Sequence, residues 1–254
     1  MERRKAFAGI RNFALYYGRG RAEELARFDL AVVEPSGQAQ ASLKTMREAG
    51  TLVLAYLSAI EISPGAGEFE ALQKEDFLSA GGGVPLINGI YGNRMADLRS
   101  ERWNRLLRRK ASSLLSSGYD GLFLDTIGNV EHPALSPECR DGLIMAAVNL
   151  LKEFREEYEG HVFVQNNGLE RLCLYTARLV DGICWENPPF AETKSKAWLE
   201  AVMNRLKALQ EKAGLKVLLL MEGKQPGERL RLAKKAAAEN GFLFYRAPED
   251  YLDI

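Results

Sequence analysis

The stretch SSGYDGLFLDT, residues 116–126, contains the pattern that decides the fold of the chain. Gly118 follows a helical segment, as expected at a helix C-terminus that ends in the left-handed conformation. The apolar run GLFL comes next, and it is continuous rather than alternating, which is typical of a strand buried on both faces of a parallel sheet. The run stops at a carboxylate, Asp125, where such a strand would emerge at the edge of the sheet.

The same unit recurs along the chain. Eight short apolar runs rich in β-branched or aromatic residues predict strands, and helical segments lie between them. The predicted strands are 13–18, 30–36, 51–58, 121–126, 161–167, 182–187, 216–222 and 242–248. The predicted helices are 21–28, 38–49, 99–117, 138–158, 169–178, 195–213 and 227–239.

Eight buried strands alternating with helices, without a linker or a break in composition, predict an α/β fold. The expected architecture is a single (β/α)8 TIM barrel over residues 1–254. A doubly wound sheet is the structural alternative. Against it, no predicted strand leads into a GxGxxG turn, and GRG at 18–20 is too short to be that fingerprint.

Composition narrows the classes of partner. Lys+Arg and Asp+Glu both number 34, so no net charge is available to hold a nucleic acid. No apolar run approaches the ~18 residues of a membrane span, so the chain is expected to be soluble. The three cysteines lack CxxC spacing and have only two histidines to join them, so neither a zinc site nor a disulfide framework is expected. No cofactor is expected either. The compartment stays open: exported if a signal peptide has been removed, and cytoplasmic otherwise.

Polar and aromatic side chains stand where the predicted strands end, and in a (β/α)8 barrel those ends meet at the rim that carries active sites. The candidates are Tyr16, Glu34, Tyr56, Ser58, Asp125, Asn166, Asn167, Trp185, Glu186, Asn187, Glu222 and Tyr245. Any one of these acids alone is more often a solvated loop residue than a catalyst. Asp125 and Glu186 differ, because each directly follows an apolar run. Around them stand asparagines suited to hydrogen-bond a sugar, and Trp185 and the tyrosines as stacking surfaces.

Two facing carboxyl groups are the usual equipment of glycoside hydrolysis. One protonates the leaving oxygen and needs a raised pKa, while the other stabilises the transition state from the opposite face of the sugar. Because the fourth and sixth strands end on one side of the barrel mouth, Asp125 and Glu186 are expected to approach the ~5–5.5 Å separation of retaining enzymes. The long connection 58–99 is expected to form a wall or lid of the cleft.

Five motifs, in this order, resemble those of glycoside hydrolase family 114, the endo-α-1,4-polygalactosaminidases. They are YLSAIEIS (56–63), GNRMADLRS (92–100), YDGLFLDTI (119–127), QNNGLERL (165–172) and VDGICWEN (180–187). The opening segment, 14–36, is similar to the glycoside hydrolase domain of the Pel exopolysaccharide system. The resemblance runs from about Phe13 to Pro188.

This resemblance implies a (β/α)8 enzyme that cuts inside α-1,4-linked galactosamine or N-acetylgalactosamine chains with retention. It implies Asp125 as nucleophile and Glu186 as general acid/base, with Glu61 lining the cleft beside Tyr16, Tyr56 and Asn166. Two departures bear on substrate preference. Ile60 stands where the family usually has glycine, and Gly128 and Asn129 stand where it usually has a second acid.

Electrostatics favours the same class of substrate. Acidic residues at the strand ends, together with Glu61, would crowd negative charge around one mouth of a neutral protein, which attracts a cationic amino sugar and raises the pKa of at least one carboxyl group. Two alternatives stay open. A metal-assisted barrel enzyme would normally need a lysine or histidine base, and only Lys224 stands near a strand end. A non-catalytic carbohydrate-binding barrel would need no pair of acids.

Overall fold

Eight parallel strands form a nearly closed barrel in the computed structural model, which describes residues 2–254. The strands are Phe13–Tyr16 (β1), Leu30–Val33 (β2), Leu52–Ser58 (β3), Gly121–Asp125 (β6), Val162–Asn166 (β7), Gly182–Glu186 (β8), Lys216–Glu222 (β9) and Leu243–Ala247 (β10). Each pairs with the next in chain order, and β1 lies beside β10. Two further short strands, Glu61–Ile62 (β4) and Arg94–Met95 (β5), pair antiparallel outside the barrel. The prediction of a (β/α)8 barrel is confirmed.

Eight α-helices accompany the strands in the described part of the chain. They are Glu2–Ala8 (α1), Ala22–Leu25 (α2), Gln40–Glu48 (α3), Glu101–Ser116 (α4), Pro137–Glu157 (α5), Leu172–Thr176 (α6), Lys196–Ala213 (α7) and Gly227–Asn240 (α8). Seven of them overlap the predicted helical segments, and α1 is additional. None of the helices within residues 2–254 combines the length and apolar character that a membrane span requires.

The helix end, glycine and strand predicted over residues 116–126 form as expected. Ser100 caps the N-terminus of helix α4, because its hydroxyl accepts a hydrogen bond from the backbone N–H of Trp103 at 3.2 Å. Its buried face includes Trp103, Leu106 and Leu107, which pack against the sheet. The helix ends just before Gly118, which has a φ of 99° that an L side chain rarely adopts. The chain then turns directly into β6, and Asp125 stands at the end of that strand.

Helix α1 closes the end of the barrel opposite the strand C-termini. The Phe7 ring is 1% exposed and packs in the apolar cluster inside the barrel, with Phe13 and Leu15. Two ion pairs attach the helix to the residues that precede β6 and β8: Arg3 Nε lies 2.8 Å from Asp120, and Arg4 Nε lies 2.7 Å from Asp181. The barrel therefore has a packed floor at this end and is open at the other.

Candidate active site

The carboxyl ends of the strands open into a cleft of about 780 Å³, a size ordinary for a small-ligand site. Strand ends supply one part of its lining, the long connection between β3 and α4 a second, and the segment after β10 a third. The lining residues are Tyr17, Glu34, Tyr56, Glu61, Asn88, Ile90, Tyr91, Asn93, Asp125, Thr126, Gly128, Asn129, Asn166, Asn167, Glu186, Asp250, Tyr251 and Leu252. Five of them are acidic, and no lysine or arginine of residues 2–254 is among them.

Asp125 and Glu186 come together at the base of this cleft. Asp125 ends β6, Glu186 ends β8, and the strand between them, β7, ends at Asn166. The Asn166 amide group donates to both carboxylates, with Nδ2 lying 2.6 Å from Asp125 Oδ1 and 2.7 Å from Glu186 Oε2. Those two distances add to 5.3 Å, so the two carboxylate oxygens are no farther apart than that.

The orientation of the Asn166 amide follows from electrostatics. Its Oδ1 atom is buried and accepts no hydrogen bond from the described residues, which costs free energy. The reversed amide would place that oxygen against two carboxylates and remove both hydrogen bonds. Donation to Asp125 and Glu186 is therefore the less costly arrangement, and it holds the two acids at a defined separation.

Two tyrosines complete the hydrogen bonding of the acidic pair. The Tyr56 hydroxyl donates to Asp125 Oδ2 at 2.7 Å, and the Tyr251 hydroxyl donates to Glu186 Oε1 at 2.5 Å. The Tyr17 ring packs between them, with its centroid 5.0 Å from that of Tyr56 and 5.4 Å from that of Tyr251. All four carboxylate oxygens accept a hydrogen bond, so neither side chain is free to rotate away from the other.

Burial and the neighbouring charge of Asp125 raise the pKa of Glu186 above its ordinary value. The hydrogen bonds from Tyr251 and Asn166 act in the opposite direction, because they favour the ionised carboxylate, but burial prevails. Burial and Asp125 also raise the pKa of Tyr56, which therefore stays protonated and remains a donor. Glu186 is thus a carboxyl group that retains its proton to higher pH beside a second carboxyl group, as an acid catalyst requires.

Hydrogen bonds to the Glu61 carboxylate link the long connection between β3 and α4 to the barrel. Its side chain is 5% exposed, and its carboxylate accepts from Asn88 Nδ2 at 3.0 Å, Asn93 Nδ2 at 3.3 Å and Asn129 Nδ2 at 3.0 Å. Asn88 and Asn93 belong to the long connection, whereas Asn129 follows β6. The three amides fix the cleft wall that carries Ile90 and Tyr91. The predicted role of segment 58–99 as a cleft wall is confirmed.

The structure places most of the predicted site residues at the cleft. Those that line it are Glu34, Tyr56, Glu61, Asp125, Asn166, Asn167 and Glu186. Ser58 and Asn187 lie one layer behind: Ser58 Oγ donates to the Glu61 carbonyl at 2.8 Å, and Asn187 Nδ2 donates to the Tyr251 hydroxyl at 3.1 Å. Glu222 is also outside the lining; burial and its hydrogen bond with Asp250, which does line the cleft, raise the pKa of Glu222.

Three predicted residues, Tyr16, Trp185 and Tyr245, do not line the cleft. Successive side chains of a strand point to opposite faces. Glu186 faces the barrel mouth, so Trp185 faces the helices, where its ring is 1% exposed and lies 5.7 Å from that of Phe190. The Tyr16 hydroxyl donates to the Arg19 carbonyl at 3.0 Å. The Tyr245 ring packs on Phe13 and Phe28.

The cleft also contains residues that the sequence analysis did not select: Tyr17, Asn88, Tyr91, Asn129, Asp250 and Tyr251. The alternation of side chains along β1 would have favoured Tyr17 over Tyr16, because Leu15 belongs to the barrel interior. The others come from irregular segments, which carry no periodic signal. Within residues 2–254, no group of three or more histidine, cysteine, aspartate or glutamate side chains is arranged to hold a metal ion.

Comparisons with known proteins agree with this architecture. The model of glycoside-hydrolase family GH114 matches residues 6–212. The chain is similar to the solved glycoside hydrolase domain of PelA from Pseudomonas aeruginosa, with 22% identity, 97% of each chain covered and a TM-score of 0.79. It is also similar to Aspergillus fumigatus Ega3, solved in complex with galactosamine, with 12% identity, 97% of this chain and 93% of that chain covered and a TM-score of 0.69. These two likenesses show the fold alone. No curated protein matches the chain.

Proposed function

Because the chain belongs to glycoside hydrolase family GH114 and is a glycoside hydrolase, we propose that it cuts inside α-1,4-linked galactosamine or N-acetylgalactosamine chains with retention of configuration. In this proposal Asp125 is the nucleophile and Glu186 the general acid/base. The observation that carries the proposal is the hydrogen bonding of both carboxylates by the single amide of Asn166.

The separation of the two acids supports retention. Retaining glycosidases hold their two carboxyl groups ~5–5.5 Å apart, whereas inverting ones leave ~6.5–9.5 Å for a water molecule. The two oxygens bonded to Asn166 are at most 5.3 Å apart, the sum of their distances of 2.6 and 2.7 Å from Nδ2. This close approach of one oxygen from each acid suits the retaining arrangement.

The chemistry follows from the two protonation states. In the first step the protonated Glu186 carboxyl group gives its proton to the glycosidic oxygen, while an Asp125 oxygen attacks the anomeric carbon and the bond to the leaving chain breaks. In the second step the Glu186 carboxylate takes a proton from water, whose oxygen attacks the same carbon and releases Asp125. The raised pKa of Glu186 suits the first step, and the donors Tyr56 and Asn166 hold Asp125 in place for attack.

The charge of the cleft supports an amino-sugar substrate. Five acidic side chains line it, namely Glu34, Glu61, Asp125, Glu186 and Asp250. A galactosamine unit without its acetyl group carries an ammonium group at neutral pH and is attracted by this field. The match to Ega3, whose structure contains galactosamine, supports the same class of substrate.

The shape of the rim supports cutting within a chain. Glu186 and Asn167 line not only the main cleft but also a second groove, which leads from them toward helix α7. In this proposal the polymer lies across both depressions, so that it extends past the candidate acid on one side while it fills the cleft on the other.

The test is hydrolysis of partly deacetylated α-1,4-galactosamine polymer by wild type, Asp125→Asn and Glu186→Gln, measured as release of reducing ends. We expect Glu186→Gln to lose about 10²–10⁴-fold in rate and Asp125→Asn at least as much. Glu34→Gln, which changes a lining acid away from the pair, is the matched control. Nuclear magnetic resonance of the first products should show the α-anomer. Equal release by all four proteins would overturn the assignment of the two acids, and an initial β-anomer would overturn retention.

A further inference from the structure

A second groove, of about 270 Å³, adjoins the main cleft on the side of strand β8. It lies between the segment that follows β7 and the segment that follows β8, and Trp198 of helix α7 forms part of its outer wall. Asn167 and Glu186 line both the groove and the cleft. The two depressions are therefore adjacent, and we refer to the second as the Trp198 groove.

Trp198 is held in a fixed orientation although it is 38% exposed. Its indole Nε1 donates to Glu170 Oε1 at 3.3 Å, which satisfies the polar atom of the ring. Beneath it lies the buried Trp185, with ring centroids 6.1 Å apart and ring planes at 72°. An exposed indole that is already oriented loses little conformational entropy when a ligand covers it. This preorganisation is a property of binding surfaces.

The segment that carries Glu170 is also held rigidly. The Glu131 carboxylate accepts hydrogen bonds from the backbone N–H groups of Glu170 at 3.1 Å, Arg171 at 2.6 Å and Leu172 at 2.6 Å. Glu131 is thus occupied in holding the backbone, whereas the Glu170 carboxylate lies at the surface beside the indole. The Trp198 groove therefore combines one aromatic face with one accessible carboxylate.

This pair of groups suits one class of ligand. A tryptophan face packs against the apolar face of a sugar ring and attracts a nearby cation through its π-system. A carboxylate at the edge of the ring adds charge complementarity to an ammonium group. A neutral sugar would use only the first feature, whereas an amino sugar uses both.

We infer that the Trp198 groove is a distal subsite, which binds an amino-sugar residue of the polymer beyond the sugar held by Asp125 and Glu186. The inference rests on the proposed function and adds to it the residues that contact the more remote part of the substrate. Trp198 supplies the platform, Glu170 the charge, and Trp185 acts as a positioning residue beneath the platform.

The test measures binding without turnover. Deacetylated galactosamine oligosaccharides of increasing length are titrated by calorimetry into Asp125→Asn protein, and into the same protein carrying Trp198→Ala, Trp198→Phe or Glu170→Gln. Long chains should bind the parent more tightly than short ones. Trp198→Ala should weaken binding of the long chains about tenfold and leave binding of the short chains unchanged. Trp198→Phe should keep most of the increase in affinity with chain length. Glu170→Gln should make that increase in affinity less sensitive to salt.

Tyr175→Ala serves as the matched control, because Tyr175 is an aromatic residue that is 52% exposed and lies outside the groove. It should leave the gain with length unchanged, and unfolding temperatures should show that every variant is folded. If Trp198→Ala retains the full gain with length, the distal subsite is wrong while the proposed function stands. If no oligosaccharide binds the parent and the wild type hydrolyses none, the proposed function fails and the subsite with it.

Discussion

The Tyr251 hydroxyl donates a 2.5 Å hydrogen bond to Glu186, and it reaches that carboxylate from the segment that follows the last barrel strand. Asp250 and Tyr251 both have positive φ, at 52° and 64°, which is uncommon for residues other than glycine. The backbone N–H of Tyr17 donates to the Tyr251 carbonyl at 2.8 Å and holds the turn against the barrel. The segment thus brings one phenol to the candidate acid.

Tyr251→Phe should shift the pH dependence of hydrolysis. The lost hydrogen bond favours the ionised form of Glu186, so its removal raises the pKa of Glu186 further. We expect the alkaline limb of the kcat/KM profile to move to higher pH and kcat to fall about tenfold. Tyr245→Phe is the control, because the Tyr245 hydroxyl lies outside the cleft. A Tyr251→Phe profile identical to that of wild type would contradict the assignment of Glu186.

The raised pKa of Glu186 also predicts how stability varies with pH. The folded protein binds this proton more tightly than the unfolded chain does, so the free energy of unfolding falls as pH rises from the unfolded pKa through the folded one. Glu186→Gln cannot ionise and lacks this loss. The unfolding temperature of Glu186→Gln should therefore increase relative to that of wild type as pH rises. The difference between the two proteins should be smallest at acid pH. A difference independent of pH would show that Glu186 does not titrate in this window.

Glu61→Gln should loosen the cleft wall. The substitution removes the charge that accepts from three asparagine amides and presents an N–H₂ group to some of them. We expect the free energy of unfolding to fall by about 2–3 kcal/mol and residues 84–93 to become susceptible to proteolysis. Glu34→Gln, whose carboxylate accepts from a backbone N–H in an exposed turn, should change stability by less than about 0.5 kcal/mol. An equal response of the two variants would show that the hydrogen bonds to Glu61 do not hold the cleft wall in place.

Binding of a cationic polymer should weaken with added salt. The acids that line the cleft act over a Debye length of about 10 Å at 0.1 M salt and about 3 Å at 1 M. KM for a deacetylated galactosamine polymer should therefore rise with ionic strength, while KM for the fully acetylated polymer should stay nearly constant. Parallel initial-rate measurements on the two polymers test this. The same salt dependence for both would argue against electrostatic recognition of the amine.

Phe7→Ala should lower stability without changing substrate affinity. The ring fills the floor of the barrel, so its removal leaves a cavity that costs about 3–5 kcal/mol. KM should stay constant, because Phe7 does not line the cleft. Leu174→Ala, at a side chain that is 54% exposed, should cost less than about 0.5 kcal/mol. Denaturant unfolding measures both changes, and an altered KM in Phe7→Ala would mean that the floor and the cleft are coupled.

The barrel was predictable because its strands are continuous apolar runs, each bounded by a polar or glycine residue, and parallel sheets buried on both faces require such runs. Helix α1 was not predicted, since a helix of seven residues is marginal by itself. Contacts distant in sequence stabilise it, including the pairs of Arg3 with Asp120 and Arg4 with Asp181. No local pattern reports such contacts.

The candidate site was predictable where strands supply it. Asp125, Asn166 and Glu186 are consecutive strand ends, and barrel topology brings them together. Strand alternation, applied strictly, would also have turned Trp185 toward the helices. Tyr251 and Asn88 lie in irregular segments, and only the folded chain brings them to the cleft.

The floor made by α1 has a practical consequence for laboratory evolution of this protein. Stabilising substitutions cost activity where they reduce flexibility or relieve strain that the active site needs. Here helix α1 lies at the opposite end of the barrel from the cleft, with the ion pairs of Arg3 and Arg4 and the buried Phe7 ring. A mutant library confined to residues 2–8 can therefore be screened for thermal tolerance alone, and its winners can be combined with specificity variants made separately at the rim.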